Sequence, residues 1–177
     1  MGRSASPVKA SPAKTIVVNG LAVALVFVTA MFVHVRLPFA GPGGMIHMGG
    51  LPLFVFALLY GRRTGAIAGA FGLALFDLLT GWAPWAPFSF VIGGAMGWTV
   101  GFAAEKKTSG LLMLYVVSIL LANVLTIGGY YVAEGLLYGN WLAPVGSIPV
   151  NFLQVTLPAL LAYPIAARLR KVLGTKL

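Results

Sequence analysis

The sequence predicts an all-α integral membrane protein with six transmembrane helices, a short or irregular second helix, and both termini in the cytoplasm. Hydrophobic residues make up 59% of the chain and charged residues 8%, against roughly 45–50% and 25% in soluble domains. Eleven of the 12 Lys and Arg residues fall into four clusters separated by apolar stretches. Because segments rich in Lys and Arg stay on the cytoplasmic side, the chain must leave and return between neighbouring clusters, which gives six crossings.

These clusters also account for the net charge of +9. Under the positive-inside rule no basic face remains for nucleic acid, and we expect none as a partner. Cysteine is absent, which excludes a disulfide framework and a thiolate nucleophile, and we predict neither a cofactor nor a metal site. Only Arg36 falls outside the clusters, which are Arg3, Lys9 and Lys14; Arg62 and Arg63; Lys106 and Lys107; and Arg168, Arg170, Lys171 and Lys176.

We divide the chain into a disordered basic cytoplasmic tail at residues 1–14, a membrane domain at 15–170 and a cytoplasmic C-terminal tail at 171–177. A cleavable signal peptide is the competing interpretation of the N-terminus. It is disfavoured because the first apolar stretch exceeds about twenty residues and no small-residue cleavage site follows it.

The first two predicted helices differ in length. The first covers Thr15–Leu37 and stops at Pro38, which cannot continue the helical hydrogen bonds. An outside loop follows to Gly44. The second, Met48–Tyr60, is roughly 20 Å long, short of the ~30 Å hydrocarbon core. Its outer end must therefore be irregular and either covered by protein or facing a wet cavity.

The other four helices are separated by short basic inner loops and longer outer loops. Arg62 and Arg63 form a tight inner turn, and the outer loop Gly81–Pro87 is rich in Trp and Pro. No convincing internal repeat is present, which disfavours an inverted-repeat transporter. The predicted bounds are Thr64–Thr80, Phe88–Ala104, Leu111–Val132 and Pro149–Ala167.

Polar and aromatic side chains are concentrated at the predicted outer ends of the helices. An aromatic interfacial belt explains single Trp residues, but it does not require acids and amides at the same level. Polar groups at membrane depth are costly and usually face a cavity. We therefore predict a small-molecule pocket that opens outward. Its candidate residues are His47, Asp77, Trp82, Trp85, Asn123, Tyr130, Glu134, Trp141, Asn151 and Gln154.

Helical spacing places part of this set on common faces. The alternative for each residue is a hydrogen bond between helices, worth about 0.6 kcal/mol on average. We favour that alternative for Asn123 alone, and the pocket for the stripe as a whole. Spacings of 3 and 4 define one stripe in the fifth helix and one in the sixth; these are Asn123, Thr126, Tyr130 and Glu134, and Asn151 and Gln154.

A small-xxx-small spacing at Gly20 and Ala24 lies in the cytoplasmic half of the first helix. Such spacing lets another helix approach closely, either a partner's helix or one inside the bundle. The same spacing recurs at Gly65 and Gly69, and at Gly93 and Gly97.

Several catalytic and nucleotide-binding motifs are missing. The chain has no G-x-x-x-x-G-K-[ST], H-E-x-x-H or G-x-S-x-G sequence, and we predict no enzymatic activity. His34 is interpreted as a packed or interfacial residue. A membrane protein with a one-sided pocket and no energy source of its own binds passively, couples to an ion, or uses a partner's energy.

The central third carries five motifs that together resemble the substrate-binding S component of energy-coupling factor (ECF) vitamin transporters. They are H-x-G-x-x-P from His47, Y-G-R-R-x-G-A from Tyr60, F-D-L-L-T-G from Phe76, W-A-P-F from Trp85, and G-x-x-x-G from Gly93. The resemblance implies a multi-pass protein of a prokaryotic cell membrane. It also implies that a transmembrane T component and two cytosolic ATPases act as partners.

The same resemblance implies a coupling role and a class of ligand. The family has Ala-x-x-x-Ala on its first helix against the T component, where this chain has Gly20 and Ala24. Many relatives have Asp where this chain has Gly50, which leaves the substrate open. The implied ligand is a B-vitamin or precursor, with hydroxymethylpyrimidine or pyridoxine favoured and riboflavin or thiamine as alternatives.

Two other classes of function stay open at this stage. One is a solitary ion-coupled carrier that uses Asp77, Glu134 or His47 as its proton site. The other is a membrane assembly factor without a substrate.

Overall fold

The computed structural model describes residues 11–37, 44–106 and 110–174, and within them the chain forms six helices and one two-stranded hairpin. Short 3₁₀ turns cover Ala83–Trp85 and Ala143–Ser147. The helices are α1 (Pro12–Phe32), α2 (Gly50–Tyr60), α3 (Arg62–Leu79), α4 (Ala86–Glu105), α5 (Leu111–Tyr138) and α6 (Ile148–Leu173). The strands are β1 (His34–Arg36) and β2 (Met45–His47).

Four helical segments of the described chain are long and apolar enough to cross a membrane: α1, Ala83–Glu105, Leu111–Tyr138 and Ala143–Leu173. The other two helices differ from these for separate reasons. Helix α2 has only 11 residues, and the 18 residues of α3 include Arg62, Arg63 and Asp77. The hairpin and the 3₁₀ turns lie at one end of the bundle, here called the outer end. Arg62, Lys106 and Arg170 lie at the other, here called the basic end.

The prediction that the first helix reaches Leu37 was wrong. Helix α1 ends at Phe32, and the next residues form β1, which pairs antiparallel with β2 in the register His34 to His47 and Arg36 to Met45. The sequence between Phe32 and Leu37 is apolar enough to read as helix, but its β-branched residues alternate with polar ones, which suits a strand. The hairpin therefore brings His47 back over the bundle.

The prediction of a short second helix with an irregular outer end is confirmed. Helix α2 follows the turn after β2 and contacts α1, α3, α4 and α6. Leu53, Phe54 and Ala57 are fully buried, because a helix that is apolar all round belongs in the centre of a bundle.

Glycines allow α3 and α4 to pack backbone against backbone. A Cβ on Gly97 would lie 2.0 Å from the Gly65 carbonyl oxygen, and a Cβ on Gly69 would lie 2.1 Å from that of Gly93. Two of the small-residue spacings noted in the sequence thus face each other inside the bundle. This close contact fixes the outer ends of α3 and α4, which carry several pocket residues.

The joint between α2 and α3 is a single residue, Gly61, whose φ of +84° favours glycine. The first N–H of α3, from Arg62, donates to Glu105 Oε1 at 2.9 Å, and Arg62 Nε lies 3.3 Å from Glu105 Oε2. A carboxylate at a helix N-terminus satisfies a free N–H and complements the helix dipole. Glu105 therefore has a structural role at the basic end.

Other boundaries also differ from the sequence-based bounds. Helix α1 includes Pro12–Lys14, which we had placed in the tail, and α6 continues to Leu173. Helix α5 runs to Tyr138, beyond the predicted end at Val132. Residues 1–10 and 175–177 of the predicted tails, and 38–43 of the predicted outer loop, lie outside the described residues.

Candidate functional site

Polar side chains from five parts of the chain meet in one pocket at the outer end. The hairpin contributes one wall, the ends of α3 and α4 with the turn between them a second, and α5 and α6 a third. Eight of the ten residues predicted from the sequence line this pocket. The lining residues are Met45, His47, Asp77, Trp82, Trp85, Ser89, Tyr130, Glu134, Asn151 and Gln154.

Two carboxyl groups face the pocket, and none of its lining residues in the described chain is Lys or Arg. Asp77 is 6% exposed and Glu134 is 2% exposed. The Ser147 hydroxyl donates to Glu134 Oε2 at 2.8 Å. In the described part of the chain the only ion pair is that of Arg62 with Glu105, at the opposite end. The pocket is therefore rich in hydrogen-bond acceptors and has no cation of its own.

Three polar atoms among the lining residues are buried without a hydrogen-bond partner within the described chain: Asp77 Oδ2, His47 Nδ1 and Gln154 Oε1. Buried polar groups are almost always paired, because an unpaired one costs about 1–3 kcal/mol. A binding site is the place where unpaired polar atoms are expected, because the ligand supplies the missing hydrogen-bond partner. The three unpaired atoms come from three different elements, so one ligand placed between them can reach all three walls.

A hydroxyl pair connects two of the walls. Ser89 Oγ on α4 lies 2.8 Å from Tyr130 Oη on α5, and Ser89 also interacts with the carboxyl group of Asp77. Since each hydroxyl can donate or accept, this pair can reorient its protons to match a ligand. Ser89 and Met45 are the two lining residues that sequence reasoning missed. Ser89 could have been found, because it directly follows the W-A-P-F motif on the first turn of α4.

Aromatic rings cover the mouth of the pocket. Trp82 and Trp85 meet edge to face with centroids 5.1 Å apart, and Trp85 lies 5.7 Å from the ring of Tyr138. The guanidinium of Arg36 lies over Trp82 at 4.6 Å from the ring centroid, within the range of a cation–π contact. These contacts join the hairpin, the 3₁₀ turn and α5 across the opening.

His47 lies at the base of the hairpin and is 5% exposed. Its ring contacts Phe76 edge to face at 5.2 Å. Burial lowers the pKa of His47 from 6.5 to about 4, because the charged imidazolium loses its hydration. His47 is therefore neutral at physiological pH, with one ring nitrogen available as a donor or an acceptor. Its cross-strand neighbour His34 bonds the Met31 carbonyl oxygen at 2.8 Å, as expected for a packed residue.

The structure places two predicted site residues outside the pocket. Asn123 Nδ2 donates to the Ile119 carbonyl within α5 at 3.0 Å and to Thr156 Oγ1 on α6 at 3.4 Å. The second contact is the hydrogen bond between helices considered above. Trp141 is 52% exposed and packs against Gly135 on the outside of α5. We do not retain either residue as a ligand contact. Thr126, from the same stripe as Asn123, is buried but does not line the pocket.

The pocket is small, with a cavity volume of about 30 Å³, which is room for about one water molecule. A ring-shaped ligand therefore requires the covering side chains to move apart. Larger apolar grooves lie on the outer surfaces of the helices, such as the one of about 720 Å³ between α4 and α5. No group of three or more His, Asp or Glu residues that could hold a metal ion occurs in the described residues.

Comparisons of sequence and of structure with known proteins both identify similarity to ECF transporter S components. The sequence profile of the ECF-type riboflavin transporter S component matches residues 11–171. The thiamine precursor transporter HmpT of Lactococcus lactis subsp. cremoris is 30% identical over 139 residues, which cover 78% of this chain and 77% of the relative. An uncharacterized protein of Pyrococcus woesei is 33% identical over 113 residues, or 63% and 74% of the two chains. A solved S component of a bacterial ECF transporter superposes with a TM-score of 0.72 at 20% identity, covering 93% of this chain and all of the other.

Proposed function

We propose that this chain, which belongs to the family of the ECF-type riboflavin transporter S component, binds a thiamine precursor of the hydroxymethylpyrimidine type in its outer pocket. Family membership makes it a multi-pass transport subunit of a prokaryotic cell membrane and not an enzyme. ECF S components work with a T component and ATPases. We infer the same partners for this chain, with the pocket end facing outward.

The main support for this ligand is that two carboxyl groups line one small pocket in which no described lining residue is a cation. An aminopyrimidine presents an amino group as a donor next to a ring nitrogen that can be protonated, and both can bond to a carboxyl group. Asp77 is the best placed of the two acids, because its Oδ2 has no partner. Trp82, Trp85 and Tyr130 supply rings against which a planar ligand can stack.

The competing ligands can be ranked by the same argument. Riboflavin carries a three-ring system with an imide edge and a long polyol, and both features fit a small, acceptor-rich pocket poorly. A pyridoxine-like ring is the second choice, because it is a single ring like the pyrimidine and can be protonated on its ring nitrogen. The HmpT relative is named for a thiamine precursor, which supports the first choice.

Isothermal titration of the purified chain tests the ligand. We expect hydroxymethylpyrimidine to bind more tightly than pyridoxine, thiamine or riboflavin. Asp77→Asn should weaken binding by roughly 10- to 100-fold, the equivalent of the 1.5–3 kcal/mol of a hydrogen bond to a charged group. Trp141→Phe is the matched control and should bind like the wild type. Riboflavin binding more tightly than the pyrimidine, or an unchanged affinity in Asp77→Asn, would contradict the proposal.

We further propose that Gly20 and Ala24 contact the T component. Both are exposed, and a Cβ on Gly20 would meet nothing within 4 Å, whereas Ala22 and Val26 of the same helix are fully buried. This supports a close approach by an external helix, in contrast with the glycines between α3 and α4. Gly20 lies about 18 Å from the outer end of α1 along its axis, far from the pocket.

Uptake measurements separate this coupling role from packing. Gly20→Leu should leave ligand affinity of the isolated chain unchanged, while uptake in cells that contain the T component and ATPases should collapse. A parallel loss of affinity would show that Gly20 acts inside the bundle. Uptake driven by a pH gradient into liposomes that contain this chain alone would instead favour the ion-coupled carrier.

A further inference from the structure

Arg170, near the end of α6, is a half-buried cation without an acidic partner in the described residues. Its Nη2 donates to the carbonyl oxygen of Leu58, near the end of α2. Its Nε is buried and has no partner there. An arginine with a spare N–H usually bonds an anion when one is available, because its donors are always charged. The one acid at this end, Glu105, is engaged by Arg62.

The side chain of Arg170 borders a cavity of about 170 Å³ between α5 and α6, which Leu58, Leu111, Tyr163, Ala166 and Ala167 also line. Tyr163 is shared with a second cleft, the α5–α6 groove, which has a volume of about 350 Å³. The cavity at Arg170 and the α5–α6 groove therefore lie next to each other along these two helices, with Tyr163 lining both.

The α5–α6 groove has an apolar lining and faces away from the bundle. Val116, Leu120 and Leu160 in its lining are 46%, 58% and 67% exposed. On α6 it extends from Phe152 to Pro164, which at ~1.5 Å per residue is about 18 Å. One leaflet of a ~30 Å hydrocarbon core is about 15 Å thick. Arg170 lies about 9 Å beyond Pro164 along α6, at the level expected for a headgroup, so an acyl chain from that leaflet reaches the part of the groove nearest Pro164.

We propose that the cavity at Arg170 and the α5–α6 groove together bind one anionic phospholipid from the leaflet at the basic end. The phosphate accepts hydrogen bonds from Arg170, and one acyl chain lies in the groove. Exposed basic side chains at the same end of α6, Arg168 and Lys171, add attraction for anionic lipid. A phosphate suits the guanidinium because it can accept two parallel hydrogen bonds.

Native mass spectrometry of the full chain, supplied with phosphatidylglycerol or phosphatidylethanolamine, tests this site. We expect one phosphatidylglycerol to be retained at least about tenfold more strongly than phosphatidylethanolamine. Arg170→Gln should abolish that preference, whereas the exposed Arg168→Gln, with the same change of charge, should reduce it only slightly. Val116→Trp should reduce retention of both lipids by filling the groove, and the neighbouring Val117→Trp should not.

Each alternative gives a different result. Equal retention of both lipids, or equal losses in Arg170→Gln and Arg168→Gln, would overturn the proposal, since the attraction would then come from surface charge alone. A dimer that Val116→Trp dissociates would also overturn it, because a second copy of the chain would occupy the groove. Because Arg170 also donates to Leu58 on α2, the Arg170→Gln result is interpreted only if this variant keeps the wild-type melting temperature. Val116→Trp tests the groove independently of that contact.

Discussion

Replacing Gly97 with Ala should destabilise the protein by wedging α3 away from α4. The added Cβ would lie 2.0 Å from the Gly65 carbonyl oxygen, and the obstructing atoms are backbone atoms that cannot rotate away. Ordinary contacts of a Cβ begin at 3.4 Å, so the helices must separate by roughly 1.4 Å at this point. The neighbouring contact between Gly69 and Gly93 opens as well.

The size of this effect follows from overpacking. Added methyl groups in well-packed interiors typically cost about 1–3 kcal/mol. For a chain of this length each kcal/mol lowers the melting temperature by roughly 2–4 °C. A cost in the middle of the range therefore predicts a decrease of about 4–8 °C. Because α3 carries Asp77 and α4 carries Ser89, the separation should also weaken ligand binding.

Thermal unfolding in detergent, followed by intrinsic Trp fluorescence, measures the change. Gly20→Ala and Gly128→Ala are matched controls, since each adds the same methyl group to a helix where a Cβ meets nothing within 4 Å. Both should melt at or slightly above the wild-type temperature, because nothing obstructs the added methyl group and Ala favours a helix over Gly by roughly 0.5–1 kcal/mol. The reasoning is refuted if Gly97→Ala melts like the wild type, or if Gly20→Ala falls as far as Gly97→Ala.

Three further predictions concern other parts of the chain. Because burial lowers the pKa of His47 from 6.5 to about 4, the unfolded chain gains a proton below pH 6.5 that the folded chain does not. The wild type should therefore lose roughly 2 kcal/mol of stability between pH 7 and pH 5 that His47→Gln does not lose, and parallel pH profiles of the two proteins would contradict this. Glu105→Gln, which weakens a partly exposed contact with Arg62, should cost no more than about 1 kcal/mol in denaturant unfolding; a larger loss would mean that the contact is more than a helix cap. In intact cells an impermeant maleimide should label a cysteine at Ala83 but not one at Leu173, and the reverse pattern would invert the predicted topology.

The sequence predicted the fold well because two strong signals agreed. Lys and Arg clusters bracket the helices in pairs, and apolar runs of helical length lie between them. The family resemblance drawn from five motifs is confirmed by the profile match, and the fold is confirmed by the superposed S component. The hairpin was missed because three-residue strands are too short for their alternation to stand out from an apolar run.

Two predicted site residues lie outside the pocket for geometric reasons. Asn123 shares a helical stripe with Glu134, but eleven residues of α5 separate them by about 16 Å along the axis. Asn123 and Glu134 therefore share a helix face but not a depth, and Asn123 is too far from the end of α5 to reach the pocket. Helix α5 was predicted to end at Val132, although the stripe assigned to it already included Glu134, and in the structure it continues to Tyr138. The carboxyl group of Glu134 is buried and accepts a hydrogen bond from Ser147.

Trp141 shows a second limit of prediction from sequence. It lies in an outer loop, as predicted, but its ring packs over Gly135 outside the bundle, and its carbonyl oxygen accepts a bond from the Tyr131 hydroxyl at 2.7 Å. Position along the membrane normal can be estimated from sequence, whereas the side of a helix that a loop residue covers depends on the path of the loop. Trp82 and Trp85 reach the pocket because their short turn joins two helices that both line it.

The same spacing of small residues occurs in two different environments in this chain, and only the packing distinguishes them. Between α3 and α4 the glycines face each other, and each lacks a side chain because a carbonyl oxygen occupies that space. On α1, Gly20 and Ala24 are exposed while Ala22 and Val26 carry the contact with the bundle. A helix that already packs through its other face has no internal need for small residues on its exposed face. An external helix does need them, and this difference is the structural basis for assigning the exposed pair to a partner.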